Sequence, residues 1–312
     1  MNEVTGSILQ SSAWRVFNAI SYETAYESDQ KWHYVAILEH GQFSNRWYCP
    51  YGPVAQDVTS FKAAIASLKR IGKNKGVDFI RIEPDVLGVT PQLLREMGFK
   101  HSRRDVQPPH TVVNDVSVGE EAIMAELSQT ARRYARKCDK AGITYSVSYD
   151  PKDIDDFIKM IHDVSQRTGM KPHDDMHYRL LAERLFPQKV AGLLFAELAG
   201  KRIASIIFFN NGETMSYAHA ANYTEYRKYS PATGLGLFAL KFAHQQGCKW
   251  FDWYGVAPEI DDGNPRWHAW RGFTQFKLSY GGKRVDYVGT WELPLRPWRY
   301  RLYRLLLIIT RR

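Results

Sequence analysis

Cysteine is scarce in this chain of 312 residues, which has only Cys49, Cys138 and Cys248, far apart and without a CxxC pair. This scarcity excludes a disulfide framework and a cysteine-ligated zinc site, and it predicts a reducing compartment. His173 and His177 are four residues apart but do not form the HExxH zinc pattern, so no metal is predicted. Also absent are a G-x-x-x-x-G-K-S/T phosphate loop and a G-x-S-x-G nucleophile elbow, and no serine or cysteine is favoured as a nucleophile.

Long apolar runs are lacking as well. The one concentrated run, residues 305–309, is far shorter than the roughly 20 residues that span a bilayer. Residues 1–14 contain no basic segment followed by an apolar one, so no signal peptide is expected. The sequence therefore predicts a cytoplasmic monomer, with peripheral contact at the inner membrane surface as an open alternative.

The composition indicates a globular protein with a basic surface. Hydrophobic residues make up 44% and aromatic residues 13%, which is enough apolar surface for one large or two medium domains. The net charge of +9 favours polyanionic partners such as nucleic acid, anionic lipid or phosphorylated substrates. The alternative is a basic protein whose charge serves only solubility.

Helical and strand patterns alternate along the chain, which predicts an α/β fold with mixed layers. Two similar halves suggest two domains with a boundary near Pro108 and Pro109. The predicted strands cover residues 32–38, 43–48, 79–82, 143–148, 193–198, 203–210, 214–221 and 250–254. The predicted helices cover residues 57–72, 91–97, 119–141, 153–168 and 235–246.

A cationic stripe is the first feature with chemical content. On a helix, Leu127, Ala131, Tyr134 and Cys138 share one face, and the opposite face carries Arg132, Arg133, Arg136, Lys137 and Lys140. Asp139 is the one acid nearby, so the stripe is single-signed rather than salt-bridged. It predicts a surface that binds a polyanion; the alternative is an ordinary solvated face.

A second feature is the strand that delivers Asp252 into a turn rich in glycine and proline, because polar groups at a sheet end often form sites. Lys277, beside Phe276, could hold an ammonium group in a partly apolar pocket and neutralise an oxyanion or a phosphate. The alternative for a lone lysine is a solvated side chain.

A third segment, Y-S-P-A-T-G-L-G at residues 229–236, resembles the diphosphate-binding loop of GNAT acetyltransferases. Pro231 stands at the position of the leading basic or amide residue, so coenzyme A binding is not expected and no cofactor is predicted. A glycine-rich helix start is by itself a weak signal.

The fourth segment, residues 297–312, combines aromatic residues and leucines with five arginines: Arg299, Arg301, Arg304, Arg311 and Arg312. It is typical of a basic interfacial helix, or of a terminal helix that docks on the core.

Seven segments, read in order, resemble the FemABX (FemX-like) family over nearly the whole chain. They are I-L-Q-S-S-A-W at 8–14, Y-C-P-Y-G-P-V at 48–54, R-I-E-P at 81–84, the helix with Arg132 and Arg136 followed by K-A-G-I at 140–143, D-W-Y-G-V at 252–256, G-F-T-Q-F-K at 272–277 and Y-V-G-T at 287–290. The resemblance implies two GNAT-like domains with mixed, mainly antiparallel sheets flanked by helices. Domain 1 would cover residues 1–110, completed by 288–312, and domain 2 would cover residues 111–287. No heptad run for the family's coiled-coil arm occurs.

The resemblance also implies a reaction. The donor would be an aminoacyl-tRNA and the acceptor a muropeptide precursor, either lipid II or UDP-MurNAc-pentapeptide. The acceptor's amine would attack the aminoacyl ester and release tRNA. Both substrates are anionic, which agrees with the basic charge of the chain.

Carried over by position, Lys277 and Phe276 fall on the family's F-K pair, linked to the tRNA acceptor end and the transferred ester. Glu83 falls on an acidic site position, where it could orient or deprotonate the attacking amine; the alternative is a strand-end cap. The predicted substrate-binding set is Lys171 near a diphosphate position, Arg15 in place of a missing lysine (Lys31 being another candidate), Tyr51 where many members carry a cation, Asp252 and Tyr229. The predicted tRNA-binding set is Arg132, Arg133, Arg136 and Lys137.

Three rival functions remain. A coenzyme A-dependent N-acyltransferase on the same fold would be stabilised by acetyl-CoA. A non-enzymatic module would bind tRNA or membrane without turnover. A ligase of the same kind could aminoacylate another amine, such as a lipid or a small molecule.

Overall fold

The computed structural model describes residues 6–260 and 263–309. The chain divides into two units, one formed by Met1–Pro109 with Asp286–Arg312 and the other by His110–Val285. Unit 1 is thus assembled from two separate stretches of sequence, whereas unit 2 is continuous.

Unit 1 is built on a mixed sheet with the strand order β1-β2-β3-β5-β14-β6 and with β4 paired to β2. Its strands are β1 (Thr24–Ser28), β2 (Trp32–Gly41), β3 (Ser44–Cys49), β4 (Val54–Ala55), β5 (Phe79–Ile82), β6 (Lys100–His101) and β14 (Trp291–Pro294). Its helices are α1 (Ser12–Asn18), α2 (Val58–Lys75), α3 (Pro91–Glu96) and α10 (Pro297–Ile309). The pairing of β3 with β5 is parallel, and the other strand pairs of this sheet are antiparallel.

The long helix α2 covers one face of this sheet. Asp57 and Ser60 form a capping box at its start, and Gly76 ends it with a left-handed φ of 73°. Phe61, Ile65 and Leu68 recur at helical spacing and are fully buried against the sheet. The apolar period seen in the sequence is thus the period of the core.

Unit 2 is built on a second sheet with the order β13-β7-β12-β11-β10-β9-β8. Its strands are β7 (His110–Asp115), β8 (Thr144–Ser148), β9 (Ala191–Leu198), β10 (Lys201–Asn210), β11 (Thr214–Asn222), β12 (Trp250–Asp252) and β13 (Lys283–Asp286). Its helices are α4 (Glu120–Glu126), α5 (Gln129–Lys140), α6 (Ile154–Thr168), α7 (Asp175–Leu185), α8 (Pro231–Gln245) and α9 (Pro265–Leu278). The β11–β12 pair is parallel, and the pairs from β8 to β11 are antiparallel.

The predicted α/β class with mixed, mainly antiparallel sheets flanked by helices is confirmed. In the described part of the chain the longest helix is α2, with 18 residues, so none there is long enough for a coiled-coil arm. The single helix expected over residues 119–141 was wrong, because Leu127 adopts a ψ of 139° and separates α4 from α5. Ser128 then caps α5 by accepting a hydrogen bond from the Ala131 N–H at 3.1 Å.

The alternative of a docked terminal helix is confirmed for α10. Tyr300 and Tyr303 are buried against Phe79 of β5, with ring centroids 5.3 and 5.0 Å away. Arg311 and Arg312, which were part of the predicted basic segment, lie outside the described residues. The docking accounts for one face of the helix only.

Candidate functional site

Lys277 lies in the last turn of α9 with its side chain turned inward. The residue is 8% exposed, and its Nζ donates to the carbonyl oxygens of Gly255 at 2.8 Å and Tyr254 at 3.4 Å. The solvated lysine that was the alternative reading is therefore wrong. A buried ammonium group held by two neutral carbonyls is costly for the fold and is typical of functional sites.

Aromatic rings surround the Lys277 ammonium. The ring centroids of Tyr217 and Phe273 lie 5.4 and 5.2 Å from Nζ. The expectation that Phe276 forms this apolar wall needs correction, because the Phe276 ring packs against Trp253 and Tyr280 in the core of unit 2. Adjacent helical residues point about 100° apart, whereas Phe273, four residues before Lys277, shares its face.

Burial lowers the pKa of Lys277 to about 7, and the negative charge of nearby Asp252 only partly opposes this. Near neutral pH both protonation states of the amine are populated. Nζ can then donate a proton to a developing oxyanion or leaving oxygen, or accept one from an attacking amine.

Asp252, at the end of β12, organises the turn that holds Lys277. Its Oδ1 accepts hydrogen bonds from the Thr111 hydroxyl and, at 2.8 Å, from the Tyr254 N–H. Burial raises the pKa of Asp252, and these donors and the charge of Lys277 oppose the rise. Tyr254 has a φ of 59°, a strained conformation for a residue other than glycine, and this conformation turns the backbone at the two carbonyls that bind Lys277.

Sequence reasoning missed Thr111, Tyr217 and the carbonyls of residues 254 and 255 as parts of this site. The one available signal was the spacing of Phe273 and Lys277. Thr111 belongs to β7, which was not predicted, and backbone carbonyls leave no trace in side-chain identity. We refer to Lys277, Asp252, Thr111, Tyr217 and Phe273 as the lysine pocket.

A second feature of unit 2 is an open cavity of about 710 Å³ along the solvent face of α5. It is lined by Gln129, Thr130, Arg133, Tyr134, Arg136, Lys137 and Lys140, and we call it the basic groove. Arg132, which was predicted to join this surface, does not line the groove. It is half-buried, and it accepts a hydrogen bond at its carbonyl from Arg136 Nε. No carboxylate lines the groove, so its cations are available to an anion.

Tyr229 is close to the basic groove, because the Cys138 thiol and Lys137 Nζ contact the backbone carbonyls of Tyr229 and Lys228. The glycines that follow it have a packing role at the start of α8. A Cβ on Gly234 would lie 1.9 Å from the Tyr145 hydroxyl oxygen, and one on Gly236 would lie 2.4 Å from that of Tyr280. The glycines of the GNAT-like loop are therefore required by packing within unit 2.

The Gly236→Ala substitution is expected to lower the free energy of unfolding by about 1–3 kcal/mol, because the Tyr280 ring is fully buried and pinned by a hydrogen bond to the Thr233 carbonyl. Gly272→Ala is the matched control: it also lies inside a helix, where its Cβ would meet nothing within 4 Å. The free energy of unfolding of the control should rise by up to about 1 kcal/mol. Urea unfolding monitored by circular dichroism compares the two, and equal midpoints would contradict the packing account.

In unit 1, Glu83 follows β5 and is 4% exposed. Its Oε1 accepts from the N–H groups of Val106 and Gln107 at 3.2 and 2.8 Å and from the Thr290 hydroxyl at 2.6 Å, while Oε2 accepts from the Tyr48 hydroxyl at 2.6 Å. Burial raises the pKa of Glu83, and the four donors oppose the rise. Both carboxylate oxygens are thus engaged within unit 1.

The other predicted residues are dispersed. Tyr51 lies near Glu83, since the Glu83 N–H donates to the carbonyl of Gly52, the residue after Tyr51, at 3.2 Å. The Tyr51 hydroxyl donates to the Pro108 carbonyl at 2.9 Å. Arg15 is elsewhere in unit 1, with its guanidinium 4.9 Å from the Tyr26 ring centroid. Lys171 is exposed in the segment between α6 and α7 of unit 2.

Comparison with known proteins gives a match in a segment that contains four of the five residues of the lysine pocket, all but Thr111. Residues 197–307 match the model of the FemAB family. This segment is similar to the FemAB family. The resemblance to the FemABX family is therefore confirmed. The matched segment includes Asp252, Phe276 and Lys277, whereas Glu83 and α5 lie before it. No curated protein sequence matches the chain.

Solved structures extend the likeness in fold over nearly the whole chain. A crystal structure of FemX matches with a TM-score of 0.84 and 16% identity, covering 96% of this chain and 95% of FemX. The C-terminal domain of a protein named as a lysylphosphatidylglycerol synthetase from Agrobacterium fabrum matches with a TM-score of 0.63 and 11% identity, covering 96% and 92% of the two chains. A protein of unknown function from Bacteroides thetaiotaomicron matches with a TM-score of 0.58 and 12% identity, covering 90% and 88%. At these identities the matches show the fold alone.

Two further observations concern metals and membranes. Within residues 6–260 and 263–309, no group of three or more His, Cys, Asp or Glu side chains is arranged to hold a metal ion. His173 and His177 instead stack on each other, with centroids 4.3 Å apart. No helix in this part of the chain has both the length and the apolar character of a membrane span.

Proposed function

We propose that this chain transfers an aminoacyl group from an aminoacyl-tRNA to the stem-peptide amine of a peptidoglycan precursor, lipid II or UDP-MurNAc-pentapeptide. The observation that carries the proposal is the lysine pocket, which holds an amine with a pKa of about 7. Lys277, which supplies this amine, lies in the segment that matches the FemAB family. Acyl transfer between an ester and an amine requires a group that can exchange a proton near neutral pH. The fold shared with FemX supports the same reaction class.

Lys277 has a defined task in this reaction. The neutral acceptor amine attacks the ester carbonyl, a C–N bond forms, and negative charge develops on the carbonyl oxygen. Protonated Nζ of Lys277 would stabilise that oxyanion by a charge-assisted hydrogen bond. Collapse of the intermediate breaks the C–O bond to the tRNA ribose, and the ribose oxygen takes a proton as the amide nitrogen loses one.

The basic groove is proposed as the tRNA-binding surface. Arg133, Arg136 and Lys137 line it together with Lys140, and Tyr134 adds an aromatic ring on which a base could stack. Arg132, the other member of the predicted tRNA-binding set, would act through the helix backbone rather than through the groove. Tyr51, Arg15, Lys171 and Tyr229 remain proposed substrate contacts, and Glu83 is proposed to position the segment that contains Val106 and Gln107.

Replacing Arg133 and Arg136 together with glutamine is expected to weaken tRNA binding roughly tenfold or more at physiological salt and to reduce the salt dependence by about one to two phosphate contacts. The measurement is a filter-binding titration of tRNA at several salt concentrations. Lys152→Gln/Arg184→Gln is the matched control, since it removes the same charge from exposed sites elsewhere in unit 2. If both pairs weaken binding equally, the groove has no special role and the net charge explains the affinity.

The proposed function is tested by transfer of radiolabelled amino acids from a charged tRNA pool to UDP-MurNAc-pentapeptide and, in parallel, to lipid II. RNase-sensitive label on either acceptor would establish the reaction and identify both the amino acid and the acceptor. Absence of label from both acceptors, with tRNA still bound, would refute the peptidoglycan acceptor and favour another amine or a module that only binds.

A further inference from the structure

The outer face of α10 carries apolar residues where a docked helix normally carries polar ones. Tyr300 and Tyr303 occupy the inner face against Phe79. The outer face follows helical spacing and is formed by Trp298, Leu302, Leu305, Ile308 and Ile309, which are between 49% and 66% exposed. We call these five residues the apolar stripe. Since 13 residues of helix extend about 20 Å, the stripe forms a continuous ridge rather than a single exposed side chain.

Cations border the apolar stripe. Arg301 shares its face and forms no ion pair with any residue in 6–260 or 263–309. Next to α10 is a cavity of about 430 Å³, lined on the α10 side by Tyr303, Arg304 and Leu307 and elsewhere by Arg103 and Arg104. Arg103 and Arg104 are exposed and likewise have no ion-pair partner in the described part of the chain.

The acids that line this cavity are engaged with other groups. Glu292 binds Arg81 at 2.6 Å, and Asp105 accepts a hydrogen bond from the Thr290 N–H at 2.9 Å. Arg46 and Arg81, also in the lining, are in turn neutralised by Glu39 and Glu292. The lining contains five arginines against the acids Glu292, Asp105 and, paired with Arg46, Glu39, so a net positive charge remains for a partner. The exposed Arg103 and Arg104 present it beside the apolar ridge.

We propose that α10 lies in the interface of a bilayer that contains anionic phospholipids, with the apolar stripe at the acyl boundary and Arg103, Arg104 and Arg301 at headgroup phosphates. A helix with an apolar face bordered by arginines has the charge and shape complementarity for such a surface. A second copy of the chain is a poorer partner, because a two-fold contact through the stripe would bring the same arginines together. The surface lies in unit 1 and does not depend on the proposed transfer reaction.

The test is co-sedimentation of the full chain with phosphatidylcholine vesicles, with and without phosphatidylglycerol. Replacing Leu302 and Leu305 with serine is expected to lower partitioning onto anionic vesicles about tenfold or more. Leu87→Ser/Ile260→Ser is the matched control, because these residues are 94% and 84% exposed in turns and should leave partitioning unchanged. Thermal melting monitored by circular dichroism is the control for folding, and each variant should melt like the wild type because the substituted positions are exposed.

A second pair isolates the headgroup contacts. Arg103→Gln/Arg104→Gln should reduce binding to vesicles with phosphatidylglycerol, whereas Lys62→Gln/Lys73→Gln, which removes the same charge from α2, should not. Three results would overturn the proposal: no binding to anionic vesicles, binding that is equally sensitive to both charge pairs and insensitive to the leucine pair, or self-association that the leucine pair abolishes without any vesicle binding. Sedimentation velocity without vesicles detects the last of these.

Discussion

Replacing Lys277 with methionine should lower the rate of aminoacyl transfer by about 10²–10³-fold or more, while the protein stays folded. Methionine fills a similar volume between Tyr217 and Phe273 but cannot donate to an oxyanion or exchange a proton. Single-turnover transfer from a labelled aminoacyl-tRNA measures the effect on the chemical step. Lys283→Met is the matched control, because Lys283 is an exposed lysine of unit 2 and its loss should leave the rate unchanged.

The stability of the same variant distinguishes a catalytic lysine from a structural one. The folded-state pKa of Lys277, about 7, lies below the usual value of 10.5, so between these pH values the unfolded chain binds more protons than the folded one. The cost of burying this lysine is therefore largest at and below pH 7 and fades as pH rises toward 10.5. Lys277→Met removes that cost and should be no less stable than the wild type at pH 7.

The advantage of Lys277→Met should shrink as pH increases from 7, and urea unfolding at several pH values measures this trend. Wild-type transfer rates in the folded variant would refute the role of Lys277 in the reaction. A variant that is strongly destabilised at pH 7 would indicate instead that the bonds to the carbonyls of Tyr254 and Gly255 hold unit 2 together.

Truncation of Glu83 to alanine should reduce the free energy of unfolding by about 3–5 kcal/mol, because four buried donors lose their acceptor at once. Glu83→Gln keeps the Oε1 acceptor for Val106, Gln107 and Thr290, and the Tyr48 hydroxyl can turn to accept from the amide, so its cost should be roughly 1 kcal/mol. Since burial raises the pKa of Glu83, the folded wild type loses stability as pH rises above 4.5, where the carboxyl group ionises more readily in the unfolded chain. The glutamine variant, which does not ionise, should therefore gain stability relative to the wild type.

Transfer by Glu83→Gln decides between the two functions considered for this residue. Both carboxylate oxygens already accept hydrogen bonds, so we expect Glu83 to position the segment that contains Val106 and Gln107, and the glutamine variant to retain transfer within about tenfold. A loss of about 10²–10⁴-fold in a folded Glu83→Gln protein would instead identify a general base. Gln107→Ala serves as a control that keeps the backbone N–H donor to the carboxylate and removes the side-chain bond from Gln107 Nε2 to the Tyr48 hydroxyl.

Elements with a strong apolar period were predictable from the sequence. The strand at Phe79–Ile82 was predicted with the bounds that the structure has, and α2 and α6 to within a few residues. β14 was missed although it is paired on both sides in its sheet, because Glu292 and Pro294 give a four-residue strand no apolar signature. The burial of Glu292 depends on its ion pair with Arg81, which is more than 200 positions away in sequence. Such tertiary compensation is invisible to local patterns.

The chemistry of the candidate site was predictable in part. The residue types of Lys277 and Asp252 drew attention, but their relation became visible only when β12, α9 and Thr111 were placed in space. The aromatic wall was assigned to the neighbour in sequence, Phe276, rather than to Phe273, the neighbour on the helix face. Hydrogen bonds to backbone carbonyls, which decide the environment of Nζ, have no counterpart in residue identity.

The position of β14 between β5 and β6 has a consequence for synthesis on the ribosome. Residues 291–294 are translated more than 200 positions after β5, so until they emerge β5 has a free edge on one side and Arg81 lacks Glu292. Unit 2 is contiguous and can complete its sheet earlier, by residue 286. The stretch of unit 1 that precedes unit 2 is thus among the last to reach its final pairing, and a nascent chain arrested before residue 291 would present an aggregation-prone strand edge to the cell.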